Sequence, residues 1–497
     1  MCGVFGMVAL ACVIPELMKA AARMENRGAQ SVGVATLEPD GQFLVYKKAA
    51  PAEIAFYDWD SDAHRGTSGI VHTRYATTGT HTKQSILRNA GPSVGELVAI
   101  THNGDTVNAE LLRAQLAARG VALTSETDTE IIRCLVEDAL RAETILATDS
   151  MREYAVKLFA ALAKVQAQII GAYSLVILTR RGVCGWRGQA GIRPLLWATK
   201  QNAAGGIKAV GFASESSVFN ALTGWSDITD VLPGEAFFVP NDLSGIYRHR
   251  LSEAPERLCF FEFLYLARPD SRFNRRRVEM ARRDLGIAVA RERAADFARY
   301  ASTDTVVVPI PTCPVNAAQA FAAELGLPVA HAIIKLGNKR SFMETSEEKR
   351  ERAIDDKFAF IKEMVVGKHV ILFDDSIVRG PTSRKLVARV LSLGALSAGV
   401  VSLCPRMFGA CFYGVDTPDC NKLIAWDAIN HRVLTEAEIA RAIGADWVVY
   451  LSVAGLVAGS QLPPDSFCLG CVTGEYPTPL CGADSKCQRR VEDRDGS

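Results

Sequence analysis

With 497 residues the chain is too long for one ordinary core, and two domains of about 200–250 residues each are expected. Hydrophobic residues at 48% and charged residues at 22% describe an ordinary globular chain. A formal net charge of +1 argues against a nucleic-acid surface or a membrane-binding face, so small or phosphorylated substrates must be held by local sites.

The apolar start from Cys2 to Pro15 has no basic residue before it and is not read as an export signal. No run of about 20 uncharged apolar residues predicts a transmembrane helix. Thirteen cysteines without an export signal point to a reduced, cytoplasmic setting. There thiols serve catalysis, metal binding or core packing rather than disulfides.

Residues 2–11 read as a buried strand and Pro15–Met24 as a short amphipathic helix. Strands are expected at Ser31–Thr36, Gly69–Arg74, Glu96–Thr101 and Ser174–Thr179, and helices at Ala109–Ala118, Asp128–Arg141 and Ala155–Ile169. This first half is a layered α+β pattern. The chain turns polar around 240–258, which places the domain boundary there. The second half alternates helix Arg277–Arg299, strand Thr305–Pro309, helix Ala317–Leu325 and strand Ala330–Lys335, then strand His369–Phe373, helix Thr382–Leu393 and strand Ala398–Leu403. That alternation predicts a parallel α/β sheet covered on both faces. The tail from Leu480 is polar and expected to be loose.

Cys2 directly follows Met1. Once Met1 is removed, a cysteine there brings a nucleophile and, in its own α-amine, a base titrating near 8. Glycines flank it in Cys2-Gly3-Val4-Phe5-Gly6, and Arg27-Gly28 follows the first helix. The segment His72-Thr73-Arg74-Tyr75-Ala76-Thr77-Thr78-Gly79 ends a strand in an arginine. Its guanidinium suits a free α-carboxylate, or else a surface ion pair. Thr101-His102-Asn103-Gly104-Asp105 offers two donors for an oxyanion, or a plain Asn-Gly turn. Asp128, opening a helix, can take an α-ammonium or merely cap the helix.

In the second half, the apolar strand Val370–Phe373 runs into Asp374-Asp375-Ser376-Ile377-Val378-Arg379-Gly380-Pro381-Thr382-Ser383. Backbone N–H groups at the helix start suit a phosphate, and the paired carboxylates suit ribose hydroxyls or hydrated Mg2+. The alternative is a strand–turn–helix whose aspartates only cap. Cys468-Leu469-Gly470-Cys471 has metal-ligand spacing, and with Cys259 and Cys411 gives four thiols that suit Zn2+ or an iron–sulfur cluster. The bare C-x-x-C could equally be redox-active or core.

The first set of motifs resembles the N-terminal-nucleophile class of glutamine amidotransferases, and the Asp374–Ser383 stretch resembles the phosphoribosyl pyrophosphate (PRPP) signature of type I phosphoribosyltransferases. Together they are similar to one family, the amidophosphoribosyltransferases, over about residues 2–479. Cys259–Ser271, Cys411–Asp416 and Cys471–Pro477 also read like that family. The resemblance implies an αββα glutaminase domain at 2–245 and a phosphoribosyltransferase domain at 255–479, followed by the tail at 480–497. It implies that Cys2 hydrolyses glutamine, that Asn103 and Gly104 form the oxyanion hole, that Arg74 and Asp128 hold the glutamine backbone ends, and that Arg27 and Gly28 line the pocket. Released ammonia would then displace pyrophosphate from C1 of PRPP, the first step of purine synthesis. PRPP would be held by Asp374, Asp375, Ser376, Arg379, Gly380, Thr382, Ser383 and Arg340, with Mg2+ on the two aspartates. The subgroup with a C-terminal cysteine pair carries a [4Fe–4S] cluster, here on Cys259, Cys411, Cys468 and Cys471. Purine nucleotide inhibitors and a homo-oligomer, dimer or tetramer, are implied as well.

Three departures lie on the pyrophosphate side. The family's Pro-Asp-Ser-Gly is Pro311-Thr312-Cys313-Pro314 here; its Tyr-Val-Gly-Arg-Thr-Phe loop is Gly337-Asn338-Lys339-Arg340-Ser341-Phe342; and Pro381 replaces a threonine. The changes imply slow turnover of PRPP. They also leave open another phosphorylated acceptor, or a homologue that binds PRPP or senses redox state without turnover.

Overall fold

The computed structural model describes residues 2–57, 59–75, 82–300, 304–336, 357–417 and 419–480. The strand Gly3–Ala9 is buried at every position and lies at the centre of a seven-stranded antiparallel sheet. Its neighbours are Ile207–Ala213 and Ser68–Arg74, and beyond the latter come Ser31–Leu37 and Phe43–Lys48. A second antiparallel sheet, of six strands, runs Tyr247–Arg250, Glu235–Pro240, Gly182–Arg187, Gly171–Thr179, Val98–Thr106 and Ser93–Val94.

The sheets pack face to face through Val4, Val8, Ile70, Val176, Leu178, Phe212 and Phe237. The outer face of the second sheet is covered by helices Asp128–Ala142 and Met151–Gln166, whose Ile132, Leu135, Leu158 and Leu162 meet Ile100, Leu175 and Trp186. Helix Ile14–Arg23 covers the first sheet, burying Leu17, Ala20 and Ala21. The layers are therefore αββα, as expected. The central strands Gly3–Ala9, Ser68–Arg74 and Gly171–Thr179 are buried throughout, because one face meets the other sheet and the opposite face meets helices.

In the second half four parallel strands run in the order Thr305–Pro309, His369–Asp374, Ser397–Ser402 and Trp447–Tyr450. Apolar residues on both faces of these strands meet helices on each side. Ile371, Phe373 and Val401 join Leu285, Val289 and Phe321, while Val370, Leu372 and Val400 join Leu386, Val390 and Ile439. Such double burial is characteristic of a parallel sheet.

Two expectations need correction. The segment 330–335 does not join the parallel sheet as a strand. Only Ile333–Lys335 is extended, and it pairs antiparallel with Phe358–Phe360 in a separate ribbon. Just before it the chain touches the parallel sheet only through an isolated bridge at Val329, and although Ala332 and Ile333 are buried in the core, Ile334 is 46% exposed. The expected helix Arg277–Arg299 ends at Glu292, followed by the short turn Ala294–Phe297. Among the described residues no helix is long and apolar enough to cross a membrane.

Candidate active sites and the thiol pocket

Cys2 leads into the central strand of the first sheet, and its backbone N–H donates to Asn103 Oδ1, at 3.4 Å, on the second sheet. The two sheets thus meet at the nucleophile. The strand expected to end at Thr101 runs on to Thr106, so Asn103 and Gly104 sit within the ladder rather than in a turn. Gly104 has φ +153°, and a Cβ there would fall 1.9 Å from Ala172 O, so only glycine continues the ladder at this point. Asn103 Nδ2 is buried and has no hydrogen-bond partner among the described residues. A buried amide donor left open in this way is costly unless something arrives to accept from it.

A cavity of about 120 Å³ opens beside these groups, lined by Cys2, Arg74, His102, Gly104 and Asp128 among others. Arg74 closes the strand Ser68–Arg74 and is buried. Burial lowers its pKa, while Cys2, Asp128 and Glu126 pull it back up. Asp128 is more than a cap on its own helix. Its Oδ2 accepts from Thr106 N–H at 2.9 Å and its Oδ1 lies 3.3 Å from His102 Nδ1. Burial opposes a charge on His102, yet the charge and hydrogen bond of Asp128, aided by Cys2 and Asp105, raise its pKa. The cavity therefore joins a nucleophile, a buried cation and a half-buried carboxylate; Asn103, which accepts from the Cys2 N–H, is not itself among the lining residues.

Three further wall residues had no assigned role in the sequence reading. His102 was visible within its motif. His72 stood in the arginine motif, and burial, then the Arg74 charge, depress it to about 3, so it stays neutral. Lys47 carries no local signal; burial lowers it to about 8 against the pull of Glu130.

Arg27 is a correction. It does not line this cavity but is fully buried between two carboxylates, with Nε 2.5 Å from Glu215 and Nη2 2.5 Å from Glu262. Its partners come from 188 and 235 residues further along the chain. Gly28 is also off the cavity wall and lies against the Arg74–Tyr75 backbone.

In the second half, strand His369–Asp374 delivers the two aspartates at its C-terminal end. Asp375 N–H donates to Asp374 Oδ1 at 2.9 Å and Ser376 Oγ donates to Asp375 Oδ1 at 2.8 Å. Burial, then the charge of Asp375, raises Asp374 well above the carboxylate range, and burial raises Asp375 to about 6. Gly380, at φ +84°, turns the chain into helix Pro381–Ser392, with Pro381 in its first turn and Thr382 and Ser383 following. Proline fits there because it lacks an N–H that the helix leaves unpaired, but the same lack takes one donor from any phosphate. Arg379 Nη2 donates to Asp416 O at 3.1 Å. Cys313, whose Sγ donates to Tyr265 O at 3.9 Å, is pushed up to about 12 by burial, then by the neighbouring Asp375 and Asp374. The altered Thr312–Pro314 segment thus stands against the aspartate pair. The expected contact Arg340, with the 337–342 loop, lies outside the described residues, as do Thr77, Thr78, Gly79, Cys481 and Cys487.

Four cysteines distant in sequence line one pocket: Cys259, Cys411, Cys468 and Cys471, with Ile192, Phe261, Met407, Val415, Tyr413 and Tyr476 around them. Cys259 and Cys468 are register partners in a two-residue parallel bridge. Among the described residues no three His, Cys, Asp or Glu side chains converge tightly enough to hold a single metal ion.

Residues 80–221 match the model of a glutamine amidotransferase domain. The whole chain is similar to the amidophosphoribosyltransferase of Methanothermobacter thermautotrophicus, 32% identical over 469 residues, covering 92% of this chain and 90% of that one. The chain belongs to the amidophosphoribosyltransferase family. The Mycobacterium tuberculosis amidophosphoribosyltransferase is likewise 32% identical, over 96% of this chain and 86% of its own length. Among solved structures, the B. subtilis PRPP amidotransferase complexed with ADP and GMP superposes with a TM-score of 0.80 at 27% identity, covering 97% of this chain and 98% of that one. Another, described as the allosteric regulatory enzyme of purine biosynthesis, gives 0.82 at 28% identity, covering 98% of both chains. The amidophosphoribosyltransferase architecture thus spans the glutaminase sandwich and the parallel sheet together, and the chain is a glutamine-dependent enzyme of purine biosynthesis.

Proposed function

We propose that this chain hydrolyses glutamine at Cys2 and delivers the ammonia to C1 of PRPP, giving phosphoribosylamine, glutamate and pyrophosphate. The observation that carries the reading is Asn103, whose Oδ1 accepts from the Cys2 backbone N–H while its Nδ2 is left open. With Met1 removed, the α-amine of Cys2 takes the thiol proton, and the sulfur attacks the side-chain amide carbon of glutamine. Asn103 Nδ2 and Gly104 N–H receive the developing oxyanion, where fixed donors are worth most. Arg74 meets the α-carboxylate and Asp128 the α-ammonium. Ammonia leaves, and water releases glutamate from the thioester.

At the second site Asp374 and Asp375 meet the ribose hydroxyls, and Arg379, Gly380, Thr382 and Ser383 the 5-phosphate, with Ser376 supporting Asp375. The raised carboxylates fit a divalent cation, because such a charge would relieve their mutual repulsion. Mg2+ there would supply charge neutralisation of the leaving pyrophosphate. We assign residues 2–245 and 255–479 to the two activities. The four-thiol pocket fits a [4Fe–4S] cluster, since all four thiols share one apolar pocket. Bound there, the cluster would supply cross-linking of segments far apart in the chain. The ADP and GMP in the B. subtilis relative support control by purine nucleotides, and we further propose a cytoplasmic homo-oligomer.

The test is glutamate release with and without PRPP, with phosphoribosylamine trapped as product. Stimulated glutamate release with trapped product is expected; glutamate without any trapped product would overturn the acceptor. Protein purified without oxygen is expected to be brown, and Cys468→Ser or Cys471→Ser to be colourless.

A further inference from the structure

Arg193 is completely buried and lies beside the thiol pocket from two directions. Through the backbone it follows Ile192, whose carbonyl accepts the Cys259 N–H at 3.0 Å. Through its side chain, Nε and Nη2 donate to Tyr413 O at 2.8 and 2.5 Å, and Tyr413 N–H donates to Cys411 Sγ at 3.4 Å. The residues lining the pocket include no lysine, arginine or histidine.

Two buried arginines share Glu262, and they share it unequally. Arg27 sits 2.5 Å from a carboxylate oxygen on each of Glu215 and Glu262. Among the described carboxylates Arg193 pairs with Glu262 alone, at 3.3 Å. The charge of Arg27 is thus matched closely, while that of Arg193 is matched at longer range and only once. A guanidinium keeps its proton even when buried, so this charge is permanent. Four thiols that bind metal do so as thiolates, and collecting negative sulfur in an apolar pocket is costly without a nearby cation.

We infer that Arg193 is the resident counter-cation of the four-thiol pocket, a positioning residue that lets Cys259 and Cys411 bind metal as thiolates. The inference rests on reading that pocket as a metal site. Glu262 has the opposite sign and acts against Arg193. The two residues therefore make opposite predictions.

The test uses the full chain purified without oxygen, with iron content, rate of iron release to a chelator, and midpoint potential of the bound group as readouts. Arg193→Met is expected to release iron about tenfold faster and to shift the potential negative, the scale of effect seen when a residue supporting a metal ligand is lost. Arg193→Lys, which keeps the charge, is expected to stay close to wild type in potential. Glu262→Gln is expected to shift the potential positive. An Arg193→Met protein with wild-type release and potential would overturn the inference. If that variant does not fold, Glu262→Gln decides: a positive shift supports the counter-cation, and no shift or a negative one overturns it. Wild type carrying zinc instead of iron would overturn the cluster but not the counter-cation, which the same release assay on zinc then decides. Wild type that binds no metal overturns both.

Discussion

The glutamine cavity and the acceptor site are built in contrasting ways. Cys2, Arg74, Asn103 and Gly104 stand on or beside strands of a closed sandwich, so hydrogen-bonded ladders fix their spacing. Asp374 to Ser383 stand at a strand end, in a loop and in the first turn of a helix, and burial, then the charge of Asp375, raises the proton affinity of Asp374. The first site waits with an open donor, while the second carries a raised carboxylate pair that Arg282 and Lys357 relieve in part and a bound cation would relieve further. The teaching is that a site on ladders is complete before its ligand arrives, whereas a site on a strand end is completed by it.

The sharpest way to break the comparison is Cys2→Ala. Glutamine hydrolysis should disappear while ammonia-dependent synthesis persists, measured as glutamate release and as trapped phosphoribosylamine. Normal glutamate release would remove the assigned nucleophile. Asn103→Ala comes next: kcat for glutamine should fall about 100- to 1,000-fold with little change in KM, since its open donor works on the oxyanion alone. A pure KM effect would make Asn103 a binding residue instead.

Repair of the acceptor mouth should be a smaller effect. Thr312→Asp, Cys313→Ser and Pro314→Gly together should raise PRPP turnover about tenfold with little change in PRPP affinity, because leaving-group contacts strengthen as charge develops. Calorimetry and initial rates on the same protein separate the two.

The smallest expected effect is a pH-dependent thermal shift. Asp375 has its pKa raised from 3.8 to about 6 in the folded chain. Its contribution to stability is full below the unfolded value and is lost as pH rises through about 6. The thermal midpoint without divalent cation should therefore decline across that window, and added Mg2+ should restore it more at pH 7 than at pH 5. Asp375→Asn should flatten both trends; an unchanged pH profile in that variant would place the titration elsewhere.

Much of this was legible in the sequence where local pattern governs. Helix Ala109–Ala118 and strand Thr305–Pro309 fall where read, because apolar period and flanking polar residues are local signals. The C-x-x-C spacing and the family-like segments group Cys259, Cys411, Cys468 and Cys471, and these four line one pocket. What stayed hidden depends on partners far along the chain. Nothing near Arg27 announces Glu215 or Glu262, so a residue expected at the cavity turned out to be buried between carboxylates. Lys47 reaches the cavity only because its strand pairs with Ser31–Leu37, which no local pattern reveals. Asn103-Gly104 was read as a pair of oxyanion donors with a plain turn as the alternative, and the strand was expected to stop short of it at Thr101. The ladder continues there only because this glycine takes an angle that other residues avoid.

The seam at Arg27 also bears on how such an enzyme can be assembled or taken apart. Arg27 and Glu215 belong to the sandwich, whereas Glu262 lies beyond it, next to the Leu258–Cys259 bridge. Cutting the gene near codon 255 would leave one fragment short of an anion and the other holding a carboxylate with no mate, each inside what had been dry interior. Excised halves should therefore need each other to stay in solution. A graft of this sandwich onto a foreign partner would have to bring a replacement for Glu262 with it.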